Sequence, residues 1–189
     1  MSRPAPTTPR DAALEIIRRL RRAGRSALLA GGCVRDMLMR RRPKDYDIAT
    51  DARPDEIEQI MRAWADHVWL QGKRFGTVGG QKDGTQFEVT TFRGDVYQPD
   101  SRKPVVTFAD DIETDLSRRD FTINAMALAL PEPQLVDPFN GAADLAARVL
   151  RTPLTPEISF TDDPLRMLRA ARFVAGLGLE PAPELVSAM

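Results

Sequence analysis

Two aspartates one residue apart, Asp45 and Asp47, and two adjacent glycines, Gly31 and Gly32, are the residues whose types and spacing point first to chemistry. Side chains alternate along a strand, so Asp45 and Asp47 share one face while Tyr46 and Ile48 share the other. Two carboxylates that close repel each other unless a cation sits between them. Oxygen donors in this arrangement suit Mg²⁺, which takes one or two carboxylates and completes its shell with water and substrate phosphates. Upstream, LLAGGCVRDM puts a Gly-Gly turn between an apolar strand and a helix. Without a Cβ the backbone can approach a ligand closely, and the N–H groups that open the helix point at any anion lying there. Arg35, one turn into that helix, adds a fixed positive charge. Metal and triphosphate would meet between these elements.

The elements that must hold these residues can be read in order. Leu28 to Ala30 forms the first strand, the helix runs through Val34, Arg35 and Met39, Pro43 breaks it, and a second strand carries Asp45 and Asp47. Before them, Thr8 as N-cap, Pro9 and Asp11 open a helix with Ala13, Leu14, Ile17 and Leu20 at helical spacing, closed by Gly24. Residues 1–10 are Pro- and Thr-rich and are expected to form a disordered tail. Pro54 opens a second amphipathic helix with Ile57, Ile60 and Met61 on one face. Trp64 and Trp69 read as core or satellite packing. Asp83-Gly84 between two alternating runs signals a hairpin of strands near Thr77–Lys82 and Thr85–Phe92. If its second strand lies beside the aspartate strand, Glu88 is either a third catalytic carboxylate or a salt-bridged glutamate of the sheet surface. Residues 93–114 show charge without periodicity and read as a long loop.

Further along, DLSRRDFTINAMALAL suggests a helix capped by Asp120, with Phe121, Ile123, Ala125, Met126 and Leu128 facing the core. Arg118 and Arg119 would then stand at its start, where they oppose the helix dipole and are better placed to grip phosphate or ribose. Leu135 to Arg151 reads as strand, turn, short helix and strand, with Gly141 for a turn and Asp144 as a polar anchor. Asp162 and Asp163 before Pro164 mark another helix start. On it Arg166, Arg169 and Arg172 recur every third residue, with Leu165, Leu168 and Phe173 assigned to the buried side. A salt-bridged amphipathic helix would show the same stripe.

Composition sets outer limits. The chain has 189 residues, 42% hydrophobic and 29% charged, enough for one domain with a real core and a small helical appendage. No apolar run approaches the ~20 residues of a membrane span, and the N-terminus lacks the apolar core of a signal peptide, so a cytoplasmic location is expected. Cys33 is the only cysteine and His67 the only histidine, which excludes an internal disulfide and multi-histidine metal sites and favours carboxylate-and-metal chemistry. With 27 basic and 27 acidic residues the formal charge is zero, so RNA should be held weakly by this chain alone.

GGCVRD followed by RPKDYDIAT, then RRDFTINAMA, then DPFNGAADL, resembles in order the signatures of the class II nucleotidyltransferases, the tRNA CCA-adding enzymes and bacterial poly(A) polymerases of the polymerase-β-like superfamily. The resemblance covers roughly Leu14 to Leu179. It implies an α/β (α+β) fold with a small mixed sheet and helices on one side: a nucleotidyltransferase head over 11–152, followed at 153–189 by the start of a helical neck. It implies Asp45 and Asp47 as catalytic, Mg²⁺-binding residues, and a nucleotide site drawing on Gly31, Gly32, Arg35, Arg119, Asp120, Asp163, Arg166, Arg169 and Arg172. Asp163 accepting from an exocyclic amine while Arg166 donates to the adjacent ring acceptor would select cytosine and adenine, with Arg169 and Arg172 orienting that pair. Family members usually carry glutamate where this chain has Asp162. The segment 93–114 corresponds to a flexible loop that helps switch between nucleotides. The implied substrates are CTP, ATP and a tRNA or other RNA 3′ end, without a membrane. The family's body and tail helices are not in this sequence, which reads as a fragment or as a minimal head working alone, with a second copy or with a separate RNA-binding partner. A poly(A) polymerase, or a nucleotide-binding module with little turnover, are the other readings.

Overall fold

The computed structural model describes residues 8–98 and 101–189. Of the disordered tail expected over 1–10, Pro9 and Arg10 belong instead to the first helix, and 1–7 lie outside the described residues. Helix α1 (Pro9–Arg22) opens with a capping box: the Thr8 hydroxyl accepts from the Asp11 N–H at 3.2 Å, and the Asp11 carboxylate accepts from the Thr8 N–H at 3.3 Å. Its buried face is Ala12, Ala13, Ile16, Ile17 and Leu20.

Strand β1 (Ala27–Ala30), helix α2 (Gly32–Leu38) and strand β2 (Asp47–Thr50) follow. Then come α3 (Pro54–Arg62), β3 (His67–Trp69), β4 (Thr77–Lys82) and β5 (Thr85–Thr91). Asp83 and Gly84 adopt φ of 49° and 82°, the left-handed pair that a tight primed turn between β4 and β5 requires. The expected hairpin is there.

Strands β6 (Arg93–Gln98) and β7 (Ser101–Phe108) form a hairpin of their own, antiparallel from Arg93↔Phe108 to Gln98↔Ser101. This corrects the long loop expected over 93–114. The segment hides its strands because its many charged residues leave no apolar alternation to read.

A second correction concerns the run after Arg118. Helix α4 (Ile112–Ser117) ends before it, capped at its start by Asp111, whose side chain accepts from the Thr114 N–H at 2.7 Å. The expected helix is replaced by a 3-10 turn over Thr122–Asn124 and strand β8 (Ala127–Ala129). Arg118 and Arg119 therefore follow a helix C-terminus, where the dipole favours them. The apolar run is buried as expected, with Phe121, Ile123, Ala125 and Met126 all at 0% exposure; a short run buried on every side carries no period to separate helix from strand.

Strand β9 (Gln134–Val136), α5 (Gly141–Ala147) and β10 (Val149–Leu150) match the strand, helix and strand expected there. The chain continues through α6 (Pro156–Asp162), α7 (Leu165–Leu177), β11 (Glu180–Pro181) and α8 (Pro183–Ser187). Gly141 serves close packing more than a turn: any Cβ on it would run into the Thr122 backbone carbonyl, and the left-handed position is taken by Asn140 at φ 58°.

The main sheet has seven strands in the order β3-β4-β5-β2-β1-β8-β9. Only β2 and β5 pair in parallel; every other neighbour is antiparallel. This is the mixed sheet expected. On one face Leu29, Ile48, Val78, Phe87 and Val89 meet the buried residues of α1 and α3. The other face is not bare: Leu28, Ala30 and Ala49 pack with Leu116 of α4, Phe92 and Ala125. Asp47 opens the strand on this second face, in alternation with Ile48. A further cluster joins Phe121, Ile123 and Leu150 to Phe160, Ala170, Leu179 and Leu185, so the C-terminal helices are packed against the segment that follows Arg119. No helix of the described residues is long and apolar enough to cross a membrane.

Candidate active site

The sheet's second face opens into a cavity of about 790 Å³ lined by Gly32, Arg35, Asp45, Asp47, Arg93, Arg118, Arg119, Asp120, Asn124, Asp163, Arg166, Arg169, Arg172 and Phe173. The chain as a whole is neutral, yet seven arginines against four aspartates face this space. Such a concentration of one sign attracts a polyanion and holds it in a low-dielectric recess.

Asp47 is the first residue of β2, and Asp45 lies two residues before it, outside the strand that was expected to carry both. Both still face the same cavity. Asp47 is exposed to solvent where it lines the cavity, with Arg119 and Asp45 near it. Burial pushes its carboxyl above the ordinary range, and Asp45 adds to this while Arg119 opposes it. Two carboxylates lining one arginine-walled space, one of them raised above its ordinary range, are a donor set that would fit a divalent cation.

Glu88 does lie beside the pair. Strands β2 and β5 run parallel with Asp47 opposite Glu88, so both side chains leave the same face. Among the described residues, however, no three acidic or ligating side chains are close enough to form one metal group.

Gly31 ends β1 with φ 80° and caps α2. A Cβ there would overlap the guanidinium of Arg119, so glycine at position 31 lets that arginine lie across the turn. Gly32 is less constrained: its Cβ would meet Arg35 Nη2 at an ordinary 3.5 Å. Arg35 donates through Nη1 to Asn124 Oδ1 at 2.7 Å and through Nη2 to Asp36 Oδ1 at 2.7 Å, and it stacks 5.4 Å from the Phe173 ring centroid. These contacts fix its position.

Arg118 and Arg119 share Asp115, which is 1% exposed: Arg118 Nη2 donates to Oδ1 at 2.7 Å and Arg119 Nη2 to Oδ2 at 2.9 Å. Burial pushes the Asp115 carboxyl up, but the two arginines outweigh it and hold it below the ordinary range. Arg119 Nε is buried with no hydrogen-bond partner, which is costly unless an anion fills the cavity beside it.

Asp120, expected near sugar and phosphate, is occupied by protein. Its Oδ1 accepts from the Phe121 N–H at 2.9 Å and Asn124 Nδ2 at 3.0 Å, and its Oδ2 accepts from Arg169 Nε at 2.8 Å and from Arg169 Nη2. Asp120 thus orients Arg169 and Asn124. Asp163 and Arg166 border the same cavity, but Arg166 is only 7% exposed and is held by Ser159 Oγ at 2.8 Å and the Arg118 carbonyl at 2.7 Å. Asp163 accepts from the Leu165 N–H at 3.1 Å, at the junction of α6 and α7. Arg172 reaches the cavity from an exposed position.

The burial assigned to α7 needs correction. Leu165 and Leu168 are exposed, at 43% and 71%, whereas Arg166 and Ala170 are buried and Phe173 is half-buried. Arg166 turns inward because Ser159 of α6 and the Arg118 carbonyl bind it, and Arg169, though exposed, is tied to Asp120.

The structure gathers all the expected site residues except Gly31 and Glu88 in the lining of this one cavity; Gly31 lies beneath Arg119, and Glu88 on the neighbouring strand. It adds Arg93, Arg118, Asn124 and Phe173 to that lining. Asn124 was detectable, standing four residues after Asp120 at the spacing of a single turn. Arg93 follows the strand that carries Glu88, but nothing in its local pattern marks it.

Residues 27–151 match the Poly A polymerase head domain family. The chain belongs to that family. It is 44% identical over 167 residues to the CCA-adding enzyme of Bacillus velezensis, a match covering 88% of this chain and 41% of that protein. Among solved structures it superposes on the Bacillus stearothermophilus CCA-adding enzyme in complex with CTP, with a TM-score of 0.84 and 38% identity over 99% of this chain and 43% of the other. The Thermotoga maritima CCA-adding enzyme complexed with tRNA superposes with a TM-score of 0.75 and 28% identity, covering 94% of this chain and 41% of the other. The chain therefore spans about two-fifths of the length of these relatives. Nucleotidyltransferases of this family generally use divalent metal ions.

Proposed function

We propose that the chain is the catalytic head of a template-independent RNA nucleotidyltransferase, residues 11–152, with the start of a helical neck at 153–189. It transfers CMP or AMP from CTP or ATP to an RNA 3′-hydroxyl, above all in building part or all of the CCA end of tRNA. The observation that carries this reading is the presence of the Asp45 and Asp47 carboxylates together in the lining of an arginine-walled cavity. The arginines offer charge-assisted hydrogen bonds to a triphosphate, and the carboxylates need a cation. Relatives whose structures hold CTP and tRNA support it.

Asp45 and Asp47 would hold Mg²⁺, which when bound neutralises developing charge and makes the attacking hydroxyl more acidic. The 3′-oxygen bonds to the α-phosphorus as the α–β phosphoanhydride bond opens. Pyrophosphate leaves with the bonding electrons, and the hydroxyl proton passes to solvent. Arg35 and Arg119 neutralise the triphosphate beside Gly31 and Gly32, so the leaving group departs without a change of partner. Glu88 adds negative charge on the acceptor side of Asp47. Asp163 and Arg166 read the base edge, held in place by the contacts described for them, while Arg169 and Arg172 wall the nucleotide and Asp120 fixes Arg169. The neutral overall charge implies weak RNA binding by this chain alone, with a second copy or a separate RNA-binding partner adding grip. The protein works in the cytoplasm.

The test is incubation with labelled CTP or ATP, Mg²⁺ and a tRNA lacking its 3′ end. Extension by C, A or both supports the proposal and sets its specificity, and long A tracts would mark a poly(A) polymerase. Binding of nucleotide without any extension at high protein concentration would leave a nucleotide-binding module.

A further inference from the structure

One row of the main sheet is aligned across four strands. Trp69 of β3 lies opposite Gly79 of β4, Gly79 opposite Glu88 of β5, and Glu88 opposite Asp47 of β2. Residues directly opposite in a ladder leave the same face, so all four belong to the face that carries the candidate active site. A Cβ at Gly79 would fall inside the indole of Trp69. The ring is therefore folded inward from the sheet edge and lies over Gly79, in the direction of the carboxylates. Its neighbours in sequence, Val68 and Leu70, pack on the opposite face with α1 and α3. Trp69 is not part of that core.

The space beyond the indole is a second cavity of about 290 Å³, lined by Asp45, Tyr46, Asp47, Trp69, Gln86, Phe87 and Glu88. It shares only Asp45 and Asp47 with the arginine-walled cavity. The chemistry of the two spaces is opposite. Seven arginines line the first, and no Lys, Arg or His lines the second. A phosphate would be repelled there, but a neutral aromatic ring with a neutral sugar would not.

We propose that Trp69, lying over Gly79, is the shelf on which the base of the acceptor RNA's 3′-terminal nucleoside stacks. The proposal deepens the nucleotidyltransferase reading and rests on it. In-line displacement needs the attacking oxygen and the leaving pyrophosphate on opposite sides of the α-phosphorus. A triphosphate among the arginines leaves the other side of the Asp45 and Asp47 pair for the acceptor, and that is where the second cavity lies. Three strand spacings of about 4.8 Å separate Trp69 from Asp47. The indole covers the first, and a nucleoside stacked at its inner edge carries its 3′-oxygen towards the aspartates. Gln86, on the same face, can donate to or accept from the base edge.

Two measurements test this separately from the parent reading. The chain has two tryptophans, and Trp64 packs on Phe87 at 5.6 Å between ring centroids on the opposite face. W64F therefore leaves Trp69 as sole fluorescent reporter. Titration, without nucleotide, with a hairpin RNA bearing an unpaired 3′-terminal nucleotide should quench that emission, and the same RNA abasic at its last position should quench it far less. Equal quenching by both RNAs, or none by either, overturns the shelf. In extension assays W69A should raise KM for the acceptor about tenfold, as loss of one base–aromatic stack implies, with KM for CTP within about twofold, and W69F should recover most of the loss. An unchanged acceptor KM in a folded W69A protein refutes the shelf while leaving the enzyme intact. If no variant extends RNA, it is the parent reading that fails, and the fluorescence titration still decides the shelf.

Discussion

The guanidinium of Arg119 lies across Gly31, in the volume that a side chain at position 31 would fill, while Gly31 itself holds a φ of 80°. Backbone freedom and close approach are both needed at this one residue. G31A should therefore cost about 1–2 kcal/mol of stability through its left-handed backbone and should also dislodge Arg119, raising KM for CTP roughly tenfold. R119K, which leaves Gly31 alone, should keep most of the stability yet show the KM defect. Urea melts and initial rates on both variants check this; a normal CTP KM in G31A would remove Arg119 from the nucleotide site.

Asp47 should behave as a functional residue that weakens the fold. Its carboxyl is raised above its ordinary value of 3.8 by burial, with Asp45 adding and Arg119 opposing. The folded state then carries a penalty once pH exceeds that raised value, and the penalty is relieved as pH falls back through it. D47N should abolish transfer by roughly a thousandfold, yet raise Tm at pH 7 in metal-free buffer and by less at pH 4. Thermal melts at the two pH values decide it, since a lower Tm at pH 7 would contradict the raised carboxyl.

The Asp115 carboxylate is the structural counterpart. It is 1% exposed and bonded to both Arg118 and Arg119. Removing its charge leaves two cations in a partly closed cavity, so D115N should destabilise by about 2–4 kcal/mol. Because its folded pKa is depressed below 3.8 by those arginines against the effect of burial, its contribution is present above pH 3.8 and fades as pH falls through the lower, folded value. The gap between D115N and wild type should thus be constant from pH 7 to 5 and close below pH 4, as chemical denaturation would reveal.

Asp120 ties the RRD segment to α7 through Arg169, whose side chain is 51% exposed. That exposure discounts the ion pair to about 1 kcal/mol of stability, so its main effect should be positional. D120N and R169A should each raise nucleotide KM several-fold, and the double variant should be hardly worse than either alone. Additive defects in this double-mutant cycle would show that the two residues act independently.

The pattern of what could be read from the chain follows from physics at each site. Thr8, Asp83 and Gly84 were legible because caps and tight turns depend on a few adjacent atoms. Asp45, Asp47 and Arg119 were legible as charges that a stable core has no reason to bring together. The helix expected at Asp120 failed because FTINAMA, Phe121 to Ala127, is buried at every position, and full burial erases the alternation that distinguishes a strand. The hairpin of β6 and β7, a ribbon outside the main sheet, escaped because its sequence is charged and shows no apolar alternation. Leu168, apolar yet 71% exposed, and Arg166, charged yet 7% exposed, reversed the usual assignment of faces. The placement of Arg166 depends on Ser159, which belongs to the preceding helix, and on the Arg118 carbonyl, which no local window contains.

The lone parallel pairing of the main sheet, β2 beside β5, sets the order in which that sheet can assemble. Asp47 meets Glu88 only after the chain has run through α3, β3 and β4, whereas the β4–β5 hairpin closes over a two-residue turn. Closing the longer loop costs more entropy and comes later. A nascent chain that has emerged only as far as β4 can already pair β2 with β1 but has no strand on the Glu88 side of the DYD stretch, so the acidic row is completed by one of the slower joins of the folding reaction.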